Sequence, residues 1–470
     1  MSARYITTTL PYVNADPHIG FALEIVQADV LARSWRVAGD EVFFSTGADE
    51  HGQKIYDAAK KIGQEPQEYV DHYAAEFKKM KEALNISADA FIRTTNPAHI
   101  QAVQEMWRRC EAKGDIYKKA YAGLYCVGCE SFKTEKELVD GKCPLHPNLT
   151  PEEISEENYF FRFSNYQKAL LEYLERSRTL VPEWRRLEAI TFVKDGFEDF
   201  SISREKKRLS WGISVPGDDS QVMYVWFDAL TNYISTLGWP EDVEGNFKKF
   251  WEEGTTLQVA GKDQVRFQSL MWQAMLLSAD IKATDTIFYH GFITSGGQKM
   301  SKSLGNVISP FELVKKYGTD ATRYMLLRHV HPTEDSDVTW ERLDEWYTAN
   351  LTNGLGNLVA RVMKLSESHL DACSGINTKK DLMTLDQFDF QSAMNDIWAR
   401  IQKLDQTITE TEPFKIIKSD PERGKEIINE LRTELFFIAH TLKAYMPETS
   451  ETIEKAVLEN KKPENLFPRI

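Results

Sequence analysis

Cysteine is scarce in this chain, net positive charge is absent, and no apolar run is long. Its 470 residues hold five cysteines: Cys110, Cys126, Cys129, Cys143 and Cys373. So sparse and odd a set does not describe a disulfide framework. No apolar stretch is long enough to span a bilayer and no secretory leader is found, so no membrane partner is expected and a cytoplasmic location follows. The formal net charge of −14 argues against a protein that coats nucleic acid non-specifically. It leaves room for a specific RNA partner, which needs only a local basic surface. Lys78-Lys79, Lys206-Lys207-Arg208 and Lys315-Lys316 are the candidate runs, each read first as solvated face. There is no repeat period and no low-complexity segment. What remains is a globular composition, 42% hydrophobic and 27% charged, in a chain too long for one ordinary core, so about two to four domains are expected.

Two short motifs carry the chemistry. Pro17-His18-Ile19-Gly20 stands near the N-terminus, and Lys299-Met300-Ser301-Lys302-Ser303 far downstream. Arg4 to Thr9 alternates and is β-branched, which predicts a strand. Leu10 to Asp16 carries Pro, Asn and Asp and reads as a loop. From His18 to Val37, Ile19, Leu23, Val26, Val30, Leu31 and Trp35 recur at helical spacing, with Asp16 placed as the cap and Pro17 as a first-turn proline. Strand, loop and anion-facing helix form a nucleotide-binding arrangement. The first motif alone also fits a capped surface helix with an incidental His. Lys299 and Lys302, on a short mobile loop, would reach the same phosphates from the other side. The pair points to a site that activates a substrate with ATP.

Three of the cysteines cluster. Cys126-x-x-Cys129 precedes Cys143-x-x-His146, with Gly128, Gly141 and Pro144 punctuating the turns. Four soft or borderline ligands with no open position fit one tetrahedral, structural Zn²⁺ per chain. Reduced thiols near a surface His are the alternative.

Together the two motifs resemble the signatures of the class I aminoacyl-tRNA synthetases, and further stretches are similar to the methionyl family of that class. These are Leu10-Pro11-Tyr12-Val13-Asn14, Gly47-Ala48-Asp49-Glu50-His51-Gly52, Tyr224-Val225-Trp226-Phe227-Asp228-Ala229, Gly261-Lys262-Asp263 and Lys299 to Asn306, in the family's order, and the ending Leu466-Phe467-Pro468-Arg469-Ile470. The resemblance implies an α/β fold: a Rossmann-like parallel-sheet catalytic domain with a zinc-knuckle insertion, then an all-α helix-bundle anticodon-binding domain. The organisation along the chain agrees. Residues 1–115 read as the first half of the catalytic domain, 116–224 as the insertion and 225–298 as the second half. Residues 299–346 read as the lysine loop and stem-contact region, and 347–470 as helices throughout. Strands are predicted at Glu41–Thr46, Leu257–Ala260 and Thr286–His290, and helices at Glu65–Leu84 and Pro97–Lys113. The chain ends soon after the bundle, so a monomer is expected.

The implied activity is a methionine–tRNA ligase. L-methionine attacks the α-phosphate of ATP, leaving methionyl-adenylate, and a terminal hydroxyl of tRNA(Met) takes the aminoacyl group. Such chemistry needs positioning and charge stabilisation, and no nucleophilic Ser or Cys. His18, Lys299 and Lys302 would act on the triphosphate, with Met300 and Ser301 on the same loop and Mg²⁺ arriving with ATP. Gly20 would let the backbone approach the nucleotide. Glu24 resembles a residue near the ribose, or is a solvated helix carboxylate. Asp49 and Asp263, at predicted strand ends, would hold the substrate ammonium. Leu10, Tyr12, Trp226 and Tyr233 resemble the wall around the methionine side chain, which suits a thioether. Asn357 and Arg361, one helical turn apart, resemble the pair that reads the CAU anticodon.

Three positions depart from the family pattern. Phe21 stands where a second His is usual, so phosphate contacts are reduced or redistributed. Gln268 replaces a pocket His, keeping a donor and an acceptor but losing titration. Phe414 replaces a stacking Trp and offers less area to a base, while Trp398 is a candidate for the bundle core. Isoleucyl, valyl and leucyl relatives carry a large editing insertion that roughly a hundred residues cannot supply. A cysteinyl relative would need zinc in its pocket. A catalytically silent paralogue that binds tRNA remains the reading from a different class, motivated by Phe21 alone.

Overall fold

The computed structural model describes residues 2–128, 131–133, 135–144, 146, 148–300, 305–373 and 388–470. The chain opens β1 (Ala3–Thr8), α1 (Ile19–Val37), β2 (Glu41–Ala48), α2 (Gln53–Lys61), α3 (Pro66–Ala83), β3 (Ala90–Arg93) and α4 (Pro97–Ala112). Next come β4 (Ile116–Cys126), β5 (Ser131–Lys133), β6 (Glu152–Phe161), α5 (Gln167–Glu175), β7 (Leu180–Val181), α6 (Glu183–Lys194), β8 (Phe200–Ser201), β9 (Ser203–Glu205), β10 (Ser214–Val215) and β11 (Asp218–Met223). The second half brings α7 (Val225–Leu230), α8 (Asn232–Ser235), β12 (Thr255–Gly261), α9 (Trp272–Ser278), β13 (Thr286–His290), β14 (Ile293–Ser295) and β15 (Gln298–Lys299). Then follow α10 (Pro310–Tyr317), α11 (Thr319–Arg328), β16 (Ser336–Asp337), α12 (Trp340–Trp346), α13 (Asn357–His369), α14 (Phe390–Thr411), α15 (Pro413–Ser419), α16 (Pro421–Leu442) and α17 (Pro447–Glu459).

The main sheet is parallel, in the order β3-β2-β1-β12-β13-β7. Strand order reverses on leaving β1, since β2 pairs on one side and β12 on the other. That reversal opens a crevice at the C-terminal ends of β1 and β12, where open α/β sheets bind ligands. Side chains alternate across the sheet with period two. Ile6, Val259 and Phe288 enter the core packed by α1 and α3. Tyr5, Ala260, Ile287 and Tyr289 enter the opposite core with Trp107, Trp251 and Trp272. The first core runs on without a break into the helical bundle, through Leu351, Leu355, Val362, Ile397 and Ile453.

The stretch 116–224 contributes more than an insertion. Its strands form two antiparallel sheets, β5-β4-β6-β8 and β10-β11-β9. Yet β7, also drawn from it, pairs in parallel with β13 at the edge of the main sheet. A two-residue strand is too short for alternation to reveal.

One buried ion pair fixes the bundle to the catalytic half. Asp29 of α1 and Arg323 of α11 meet at 2.8 Å, both wholly buried. The guanidinium also donates to the carbonyls of Leu84, Ala444 and Tyr445. Three segments far apart in sequence thus satisfy one buried cation, as such burial demands.

Candidate active site

The crevice is built on the start of α1. His18 is the N-cap: its Nδ1 accepts the Gly20 N–H at 3.1 Å. The expectation of Asp16 as cap and Pro17 as first-turn residue is therefore corrected. An imidazole nitrogen can cap as an acceptor, and here it does so from within the motif. With Nδ1 accepting, the neutral ring carries its proton on Nε2, a donor. Gly20 has a local reason to be glycine, because a Cβ there would lie 2.8 Å from Cε1 of His18. Phe21 packs on His18 at 4.4 Å and on Phe77 at 5.2 Å between ring centroids, so this position joins an aromatic cluster and offers no donor.

The chain a few residues beyond the downstream motif comes to the same helix end. The Ile19 N–H donates to the carbonyl of Ile308 at 3.0 Å. Lys299 ends β15, whose hairpin with β14 turns at Gly296 and Gly297, both at positive φ, a backbone region open to glycine. The Gly297 N–H is held by Asp337 at 2.7 Å. Met300 packs partly buried against the core. Ser301 and Lys302 lie outside the described residues.

Glu24 is not a solvated helix carboxylate. It is buried and accepts the Thr9 N–H at 2.7 Å, while its other oxygen meets His290 Nε2 at 2.9 Å. Burial works against a charge on His290, but the Glu24 hydrogen bond and charge, with the Gly291 carbonyl, outweigh it and raise the imidazole pKa. His290 was missed at the sequence level. It ends β13, and its place at a C-terminal strand end, where open α/β sheets bind ligands, was a signal that could have found it.

Asp49 directly follows β2. Its N–H donates to the Pro11 carbonyl at 2.9 Å, and its carbonyl accepts from Val13 at 3.1 Å. The backbone thereby pins Asp49 beside Tyr12, which is half-buried like Leu10. Asp263 lies two residues beyond β12 and is exposed. The two carboxylates thus flank the end of β1, one sealed and one open to solvent. Trp226 of α7 is half-buried and stacks on Phe267 at 4.0 Å and 12°. Phe267 is a further site candidate that the sequence reading passed over. Gln268 and Tyr233 are buried and joined, the amide Nε2 donating to the phenol oxygen at 3.0 Å. Burial pushes the Tyr233 phenol well up, so it keeps its proton.

In the knuckle, Nδ1 of His146 lies 3.8 Å from Cys126 Sγ and 3.9 Å from Cys143 Sγ. Zinc bonds of about 2.3 Å to sulfur and 2.0–2.1 Å to nitrogen give tetrahedral edges of roughly 3.5–3.8 Å. The three side chains therefore fit a shared ion. Gly128 makes room for the imidazole, since a Cβ there would lie 2.3 Å from the His146 ring. Cys129 lies outside the described residues.

In the bundle, Asn357 is exposed at the start of α13, and Arg361 pairs with Asp405 of α14. Phe414 is 43% exposed, which removes the packed-core alternative for it. Trp398 is buried beside Tyr324 at 4.3 Å. Among the described residues, no hydrogen bond, ion pair or ring contact joins Phe414 to Asn357 or Arg361. The basic runs are solvated and mostly neutralised locally, as in Lys79–Glu76, Lys207–Glu205 and Lys316–Asp344.

The family described as "tRNA synthetases class I (M)" matches residues 4–148 and 146–363. A methionine–tRNA ligase of Fusobacterium nucleatum is 39% identical over 473 aligned residues, covering 96% of this chain and 73% of that protein. One from Thermosynechococcus vestitus is 46% identical over 371, covering 78% and 69%. Among solved structures, Mycobacterium tuberculosis methionyl-tRNA synthetase in complex with methionyl-adenylate superposes with a TM-score of 0.89 at 36% identity, covering 96% of this chain and 93% of that one.

Proposed function

The chain belongs to the class I tRNA synthetase family, and from that premise we propose that it is a methionine–tRNA ligase. It activates L-methionine with ATP and passes the aminoacyl group to the 3′ end of tRNA(Met). The observation that supports this reading is the start of α1, where His18 caps the helix and the Ile19 N–H is tethered to Ile308, a few residues beyond the downstream motif.

In this reading ATP lies with its phosphates over the N-terminus of α1, where backbone N–H groups and the helix dipole favour anions. His18 Nε2 donates to the triphosphate, and Lys299 and Lys302 meet the charge that builds on departing pyrophosphate. Mg²⁺ bound with ATP supplies further charge neutralisation. Glu24, held by Thr9 and His290, supports the ribose end. Asp49 and Asp263 hold the methionine ammonium, which aims the carboxylate at the α-phosphate. Leu10, Tyr12, Trp226 and Tyr233 surround the thioether, with Gln268 locking the Tyr233 hydroxyl. Cys126, Cys129, Cys143 and His146 hold one structural zinc. The enzyme acts in the cytoplasm as a monomer.

Incubation with methionine, ATP, Mg²⁺ and tRNA bearing a CAU anticodon should give methionyl ester on the tRNA. No ester, with methionine binding absent, would overturn the reading. In the bundle, Arg361→Ala should lower charging of that tRNA by about tenfold, the scale of one charged hydrogen bond. Methionine-dependent pyrophosphate exchange should stay at the wild-type level. Because Phe414 is exposed, Phe414→Trp should keep the melting temperature and hold or improve charging, since a larger ring stacks better on a base. Unchanged tRNA affinity in both Phe414→Trp and Phe414→Ala would remove Phe414 from the anticodon surface.

A further inference from the structure

Beneath the residues assigned to the amino-acid pocket lies a buried bridge that takes no part in the chemistry above. The Asp228 carboxylate, 1% exposed, accepts from His51 Nδ1 at 2.7 Å on one oxygen and from His99 Nε2 at 2.8 Å on the other. His99 Nδ1 lies 2.8 Å from Ser235 Oγ. With Nε2–H given to Asp228, the neutral His99 ring takes the serine hydroxyl on Nδ1. Serine, imidazole and carboxylate follow the order of a nucleophilic relay, but all three are buried, so no acyl substrate reaches the serine. Burial works against the Asp228 charge, and the His51 and His99 imidazoles outweigh it, holding the carboxyl below its usual range. A charge sealed in this way persists only when its partners are fixed.

The bridge connects elements distant in sequence. His51 lies two residues after Asp49, on the loop that leaves β2. That loop is clamped again next door: Glu50 pairs with Arg93 at 2.5 Å, its N–H is taken by Thr94 at 2.9 Å, and its carbonyl by Trp211 Nε1 at 2.6 Å. Asp228 lies two residues after Trp226 on α7, and His99 sits on α4. One carboxylate therefore ties the loop that carries Asp49 to the helix that carries Trp226.

We propose that Asp228 is a positioning residue for amino-acid recognition, fixing the separation of the Asp49 carboxylate and the Trp226 ring through His51 and His99. The proposal rests on the pocket assignment above. It explains why a charge is kept where an apolar side chain would pack. Both oxygens of a carboxylate accept, so both imidazoles point an N–H at it. In Asp228→Asn the shape is kept, but one of the two atoms becomes a donor facing an N–H. One arm of the bridge must then break or change tautomer, and one wall of the pocket is released.

The test is steady-state pyrophosphate exchange with Asp228→Asn, His99→Leu and His99→Gln, each also followed by thermal melting. Asp228→Asn and His99→Leu should raise KM for methionine by about tenfold, with KM for ATP unchanged and kcat within about twofold. In His99→Gln the amide N–H stands in for Nε2–H, so KM for methionine should return close to the wild-type value. A lowered melting temperature with KM for methionine unchanged, or parallel rises in both KM values, would overturn the proposal and leave a purely structural bridge. Wild-type protein with no methionine-dependent exchange would instead sink the functional reading, and the proposal with it.

Discussion

Lys302→Ala is expected to slow adenylate formation about a hundredfold while methionine affinity stays near wild type. The lysine is assigned to charge that develops as pyrophosphate leaves, so its contribution is made in the transition state rather than in the ground state. Loss of such a donor costs about 3 kcal/mol in the barrier. His18→Ala should behave alike, since its Nδ1 is occupied by the Gly20 N–H and Nε2 is the atom proposed to donate to the triphosphate. Single-turnover adenylate formation beside equilibrium methionine binding separates the two quantities. Equal losses in rate and affinity would mean that these groups act in ground-state binding.

Metal removal is expected to have the largest effect on order. One zinc per chain should be found by elemental analysis, and Cys143→Ala should lose it. The knuckle is a polar segment with few apolar side chains to bury, so the binding free energy of the ion, about 10 kcal/mol or more in comparable sites, is also its folding free energy. Chelation should therefore unfold this segment while the parallel sheet, with its two apolar cores, stays folded. Hydrogen exchange would show protection lost around Cys126–His146 and kept in β1, β12 and β13. Wild-type protein free of stoichiometric metal, or a knuckle still protected after chelation, would contradict the assignment.

Much of the fold was legible because its elements are long and regular. The strand expected at Glu41–Thr46, leading to Asp49, runs to Ala48, and the helices expected at Glu65–Leu84 and Pro97–Lys113 lie at Pro66–Ala83 and Pro97–Ala112. Asp49 and Asp263 came from the family resemblance, and their predicted strand ends agreed with it. Where the reading failed, tertiary context had overridden a local rule. Glu24 was open to a solvated role because helices of this pattern usually keep one wet face. But α1 is covered on both sides, by the sheet and by α11, and buries Glu24, Gln27 and Asp29 alike. The Asp16 cap failed because His18, an uncommon cap, takes the Gly20 N–H itself. The edge strand β7 is too short for periodicity to show. The His51–Asp228–His99 bridge spans 177 and 129 residues, and no window of local pattern reaches that far.

The central claim is activation of methionine by ATP, and amino-acid-dependent exchange of pyrophosphate into ATP, measured across the twenty amino acids, tests it most directly. The account predicts robust exchange with methionine, without tRNA, and little with isoleucine, valine, leucine or cysteine. Exchange strongest with another amino acid would contradict the pocket assignment, and no exchange with any, while tRNA still binds, would show a synthetase fold whose chemistry is silent.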